Sequence, residues 1–107
     1  MEISFEDFLK IDLRIGKIIE IRDHPNADKL YVITVDLGDE KRQIVAGLKD
    51  HYTKEQLLGK KIVIVYNLKP KNIRGIESRG MLLAAEKNGE ISILIPDRDI
   101  DVGAKVY

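Results

Sequence analysis

Residues 11–21 read Ile-Asp-Leu-Arg-Ile-Gly-Lys-Ile-Ile-Glu-Ile, and this stretch decides the fold class. Its apolar residues fall at Ile11, Leu13, Ile15, Ile19 and Ile21, the period of two that marks a half-buried β-strand. Gly16 interrupts the run and Ile18 lies out of phase. A glycine inside a long strand predicts a bulge or a sharp bend, the device a small barrel needs to turn a corner. Outward from this stretch, strand patterns recur over residues 30–37, 42–46, 61–68, 80–86 and 91–95. Gly38-Asp39 and Asn88-Gly89 read as the turns between neighbours. Helical signals are short. Thr53 followed by Gln56 is a capping box for a turn or two that Gly59 stops. Ser4 with Asp7 similarly caps a brief N-terminal helix carrying Phe5, Phe8 and Leu9 on one side.

Three strands, a short helix, two further strands and a tail predict an all-β chain. The order matches a five-stranded OB-fold Greek-key barrel, with its helix between strands 3 and 4 and with N- and C-terminal extensions. A small sandwich, or a barrel of another topology, is the alternative. With 107 residues and 44% hydrophobic content, one domain over residues 1–107 with a real core is expected. The absence of cysteine excludes a disulfide scaffold, a thiolate metal site and a Cys nucleophile. No apolar run exceeds the five residues of 62–66 and 81–85, too few for a membrane span, and the start MEISFEDFLK has no signal-peptide core. A cytoplasmic protein is expected. The 34% charged content, without cysteine, leans toward a thermophile-like composition.

The strand Ile62-Val63-Ile64-Val65-Tyr66 is apolar on both faces. In a small barrel one face of most strands meets water, so the outer face here needs a cover. A homodimer is expected, with Phe5, Phe8, Val102, Val106 and Tyr107 as interface candidates; the chain's own ends are the other possible cover.

Formal charge sums to zero but is unevenly spread. Residues 1–53 carry 8 basic and 11 acidic groups, residues 54–87 carry 8 and 3, and residues 88–107 carry 2 and 4. A locally basic segment in a neutral domain points to a polyanion, or to a solvated lysine-rich loop. Signals for catalysis are poor. There is no Gly-rich phosphate loop, no HExxH and no GxSxG. His24 and His51 are far apart and read as surface or capping residues. Asp97, Asp99 and Asp101 alternate like calcium ligands, but Val102 stands where the loop glycine belongs, so a solvated turn is expected. These residues require no metal and no cofactor.

In an OB-fold, ligands lie over strands 2 and 3, between the loops joining strands 1–2 and 4–5. Those loops are residues 23–29 and 67–79 here, so Lys69, Lys71, Arg74 and Arg79, with Lys29 across the groove, sit where the fold puts its ligand. Lys and Arg suit phosphates; Asn67, Asn72 and Ser78 can hydrogen-bond phosphate, sugar or 2′-OH. Each has a plainer use: Pro70 and Gly75 as turn residues, Asn67 as a strand-end cap, Met81 as core. Neither loop contains an aromatic, and only Tyr31 and Tyr66 could reach the groove. Base stacking on a single strand is therefore disfavoured against recognition of a folded RNA's backbone and shape.

The segments DLRIGKIIEI, HPNADKLYVITVDLGDEKRQIVAGL and GKKIVIVYNLKPKNIRGIESRGMLLAA resemble the tRNA-binding domain family over nearly the whole chain. Members include free-standing dimeric tRNA-binding proteins, the C-terminal domain or beta subunit of methionyl-tRNA synthetase, and a domain of the endothelial-monocyte-activating polypeptide. The resemblance implies binding to tRNA by structure at the outer corner of the L, pairing of two copies through their ends, and partnership in cis or trans with a methionyl-tRNA synthetase catalytic region. It implies no catalysis by this chain itself and no membrane. It implies RNA contacts at Lys29, Asn67, Lys69, Arg74, Ser78 and Met81, with phosphates at the lysines and Arg74, hydrogen bonds from Asn67 and Ser78, and a sugar or base against Met81. The family often has Gln where this chain has Arg79. A sister group, secretion-chaperone-like proteins that bind unfolded polypeptide, usually lacks the HPNADKL loop and is the alternative.

Overall fold

Strand β1, Leu13–Asp23, organises the chain because both of its edges are used. The structure is a computed structural model that describes all 107 residues. On one edge, Leu13–Lys17 pairs antiparallel with β4, Lys61–Val65. On the other, Lys17–Asp23 pairs with β2, Tyr31–Asp36, which in turn pairs with β3, Lys41–Ala46. Between Ile18 and Glu20 the register slips, leaving Ile19 as an extra residue. The bend expected at Gly16 is thus two to three residues further on, and it changes which side chains face inward. Ile18 lies opposite Val35 and Ile21 opposite Ile33, three residues apart yet on the same side because the bulge absorbs one. Ile18 is fully buried, whereas Ile19 projects into solvent. Gly16 has another role. A Cβ there would stand 2.4 Å from Val35 Cγ1, so the strands cross at a distance only glycine allows.

The expected capping box at Thr53 and the cap at Ser4 both form. Thr53 Oγ1 accepts from the Gln56 amide while Gln56 Oε1 accepts from the Thr53 amide, starting α2, Lys54–Leu57, between β3 and β4. Leu57 of that short helix plugs the barrel, fully buried among Ile18, Ile33, Ile44, Ile62 and Ile64. Each such side chain contributes roughly 1.5–3 kcal/mol of burial free energy. Ser4 Oγ caps α1, Phe5–Leu9, through the Asp7 amide at 3.1 Å.

Beyond β4 the predicted boundaries change. Strand 61–68 ends at Val65, and the expected loop 67–79 contains a hairpin of β5, Lys71–Ile73, and β6, Ile76–Ser78. Its turn residues Arg74 and Gly75 have φ of 53° and 92°, the left-handed pair of a tight two-residue turn. Gly75 is therefore required by the turn. The expected strand 80–86 is cut at Leu83 into β7, Met81–Leu82, beside β4, and β8, Ala84–Lys87, which turns at Asn88-Gly89 into β9, Glu90–Ile93.

The main sheet runs β3-β2-β1-β4-β7. The gap between β3 and β7 is bridged largely by side chains. Ser78 Oγ accepts from the Val45 amide at 2.9 Å, Gln43 Nε2 donates to Glu77 O at 2.9 Å, and the Arg79 amide donates to Gln43 O at 2.9 Å. The last strand, β10, Lys105–Val106, lies along β1 opposite Leu13 and Arg14. Val63 and Val65, the outward residues of β4, are 9% and 7% exposed without any second copy. The cover expected of a dimer on this strand is thus supplied by the chain's own C-terminal segment: Ile15 and Val63 share a shallow depression with Pro96, Ile100, Val106 and Tyr107. Val102 is half-buried, its Cγ2 against the Gly38 turn. No helix is long and apolar enough to cross a membrane.

Candidate nucleic-acid interface

The 67–79 hairpin and the 23–29 loop meet at one end of the barrel. Lys29 and Arg74 border the same depression, together with Asn26 and Asp28. A second depression on the β3 side of the hairpin is lined by Val45, Leu68, Lys69, Lys71, Ile73 and Met81. Five expected contact residues, Lys29, Lys69, Lys71, Arg74 and Met81, therefore flank one hairpin, and all five are exposed. Lys69, Lys71 and Arg74 take no part in the chain's ion pairs. Lys29 has only a loose one, 3.8 Å from Asp50 with both side chains largely in water. Such pairs are worth about 0–1 kcal/mol and yield readily to a better anion. Arg79, half exposed, leans toward Glu77 at 3.9 Å, and its amide is committed to β3.

Two expected RNA contacts have other employment. Ser78, also in the lining of the second depression, is 5% exposed; its hydroxyl accepts from Val45 N–H and donates to Gly80 O, so it closes the barrel. Asn67 accepts from the Asp12 amide at 2.8 Å and donates to Lys10 O at 2.6 Å. It caps backbone, as one sequence alternative had it, but the backbone is that of a segment 55 residues away. The Ser78 hydroxyl thus has no proton left to donate, whereas the exposed Asn67 keeps the second N–H of its side-chain amide. Met81, a candidate for the core, is 48% exposed at the mouth of the second depression.

Neither reachable tyrosine is a stacking platform. Tyr31 is buried, its hydroxyl donating to Tyr52 O at 2.7 Å. Tyr66 is covered on both faces by the guanidinium groups of Arg14 and Arg42, each 3.6 Å from the ring centroid. Those cations are neutralised in turn. Arg14 makes a two-pronged pair with Asp12, which holds that carboxyl below its ordinary range against the opposing cost of desolvation. Arg42, mostly buried, pairs with Glu40 and donates to Tyr66 O at 2.6 Å. Asp99 of the expected solvated turn pairs with Lys61 Nζ at 2.7 Å.

Of the two expectations for His24, a surface or a capping residue, the structure overturns the first and bears out the second. The residue is 5% exposed, with its ring between the two loops. Nε2 lies 2.8 Å from Ile73 O, and Nδ1 accepts from the Asn26 amide at 2.9 Å. A carbonyl only accepts and an amide N–H only donates, so Nε2 carries the proton and Nδ1 is bare. The pattern His-Pro-x-Ala at a loop mouth held no periodic signal that could have revealed this.

The geometry defines a class, an OB barrel whose open end presents exposed cations and no aromatic platform. Residues 13–105 match the family described as "Putative tRNA binding domain", and the chain belongs to that family. It is 61% identical over 104 residues to the methionine–tRNA ligase of Pyrococcus furiosus and 57% identical over 104 residues to that of Thermococcus onnurineus. In each case the match covers 97% of this chain but only 14% of the ligase. Among solved structures it superposes on the MetRS-related protein from Pyrococcus horikoshii with TM-score 0.93 and 37% identity, over the whole of both chains. The chaperone CsaA from Bacillus anthracis gives 0.89 and 30%, again over both whole chains.

Proposed function

We propose that this chain binds folded tRNA through its phosphate backbone at the outer corner of the L, as a non-catalytic accessory module of methionyl-tRNA synthetase. The observation that carries this reading is the cationic hairpin: Lys69, Lys71 and Arg74 are free of ion pairs, and Arg74 borders one depression with Lys29, at the end of an OB barrel in a chain of the tRNA-binding family. Phosphate contacts position an RNA without reading its sequence, which suits a site with no stacking aromatic. The ligases that share this region supply the catalytic partner, in cis or trans. Residues 1–107 act as one module, in the cytoplasm, where tRNA is charged.

Pairing of two copies through the chain ends belongs to the same proposal. Helix α1 is five residues long and buries no residue, and a helix that short does not hold itself together in water. Phe5, Leu9, Ile11 and Tyr107 are exposed and Phe8 is half-buried, so a second copy has an apolar surface to cover. Val106, half-buried beside Leu13, lies at its edge.

The test is tRNA affinity against salt. Lys69→Ala and Arg74→Ala are each expected to lower the log–log salt slope by about 0.7–0.9 while the fold is kept. Unchanged slopes in both variants would remove this loop as the RNA surface. One observation favours a second reading, in which the chain holds unfolded polypeptide. The depression beside the hairpin is largely apolar and the CsaA chaperone shares the fold. Binding of an apolar peptide, insensitive to salt and competing with tRNA, would support it.

A further inference from the structure

We infer that His24 is a positioning residue that staples the two RNA-binding loops together and holds the hairpin tip ready before RNA arrives. The inference rests on the tRNA-binding reading above. The hairpin β5–β6 needs such a device. Its strands have three residues each and form a separate two-stranded sheet, and a lone hairpin of that size is marginal in water. Its base is tied to β3 through Ser78, Gln43 and Arg79. Its tip, which carries Arg74, has no β-strand beside it.

What holds the tip is the 23–29 loop. The His24 Nε2–H donates to Ile73 O, and the Asn26 Nδ2–H donates to Arg74 O at 3.1 Å, two successive carbonyls at the turn. The same ring orders its own loop: Nδ1 accepts from the Asn26 amide, and the His24 amide donates to Leu30 O at 3.1 Å, closing the loop mouth. One imidazole therefore fixes Asn26, and Asn26 then reaches Arg74. Within the turn, Asn72 Oδ1 accepts from the Gly75 amide at 2.9 Å, and Arg74 keeps the left-handed backbone that non-glycine residues rarely adopt. With both carbonyls held, the backbone that carries Arg74 is set beside Lys29, and the two cations border one depression. A preordered tip spares the association the cost of ordering it. His24 itself is buried and carries no contact to phosphate.

The experiment combines tRNA affinity at several salt concentrations with amide hydrogen exchange of the free chain. In His24→Ala, exchange at residues 73–76 is expected to speed up and tRNA binding to weaken about five- to thirty-fold, the loss of one to two hydrogen bonds' worth of ordering. The salt slope should stay at its wild-type value, because no phosphate contact is removed. His24→Gln, whose side-chain amide can reach Ile73 O as Nε2 does, should recover most of the affinity. Asn26→Ala, at an exposed position, should give a smaller change of the same kind and decides the matter if His24→Ala does not fold. Faster tip exchange with wild-type affinity would overturn the inference, as would a slope lowered by one contact. A wild-type chain that binds no tRNA would instead sink the proposed function, while the exchange data would still report the staple.

Discussion

Ser78→Ala separates a hydroxyl that serves RNA from one that serves the barrel. The side chain is buried, accepts from the Val45 amide at 2.9 Å and donates to Gly80 O at 3.1 Å. Alanine leaves the Val45 N–H without a partner between β3 and the hairpin, a loss of about 1–3 kcal/mol, and removes the second bond, about 0.5–1.5 kcal/mol. Some of this is recovered by relaxation and water, so about 2–3 kcal/mol is the expected total. For a domain near 100 residues that lowers Tm by roughly 10–20 °C. Urea unfolding followed by circular dichroism should show the midpoint fall with an unchanged m-value. Affinity for tRNA, measured where the variant is fully folded, should keep the wild-type salt slope. Wild-type stability combined with weakened tRNA binding would refute the reasoning and return the hydroxyl to the RNA surface.

Three further outcomes are expected of the same structure. Gly16→Ala puts a methyl 2.4 Å from Val35 Cγ1 and 3.1 Å from Leu37 Cδ2, and overpacking of this kind should cost about 1–3 kcal/mol in urea unfolding; a neutral variant would mean the β1–β2 crossing is looser than described. Phe5→Glu should yield monomers by sedimentation and remove any dependence of the unfolding midpoint on protein concentration, since Phe5 is 71% exposed in its own chain; a persisting dimer would move the interface elsewhere. Asp12, Asp23, Glu40 and Asp99 are held below their ordinary range, chiefly by hydrogen bonds from Arg14, from Lys49 and Lys54, from Arg42 and from Lys61. The folded chain thus binds fewer protons than the unfolded one. Stability is level from pH 7 down toward the ordinary carboxylate range near pH ~4, then falls as pH drops through the lower folded values. Because these groups are largely exposed, added salt should flatten the fall; stability that rises on acidification would contradict the pairings.

The strand order, the Thr53 capping box and the Ser4 cap were legible because each depends on residues near one another in sequence. The side of β1 that faces the core was not. Period two was counted straight through a bulge, and only pairing with Val35 and Ile33 reveals that Ile18 and Ile21 point the same way. The hairpin in the 67–79 loop left a local trace, Ile73-Arg74-Gly75-Ile76, an apolar pair around a turn that glycine makes possible. The cationic side chains could be assigned from the fold's loop positions, since exposure is the default for lysine. Which backbone groups Asn67, Ser78 and His24 hold could not be read. Their partners lie 55, 33 and 49 residues away, and a polar side chain in a loop has the same sequence appearance whether it faces water, RNA or buried backbone.

The double use of β1 also sets an order of assembly. Residues 17–46 form a meander of neighbouring strands that can pair as soon as they exist. The first half of β1 waits for β4, about fifty residues later, and residues 13–14 wait for residues 105–106 at the far end of the chain. During synthesis that half-strand is an open edge bearing Leu13 and Ile15. The slow step of folding is then closure of the long loop onto it. A chain shortened before residue 105 keeps the meander, β4 and the cationic hairpin but leaves the other edge of residues 13–14 open to a neighbour's strand, and its failure would be aggregation rather than loss of charge.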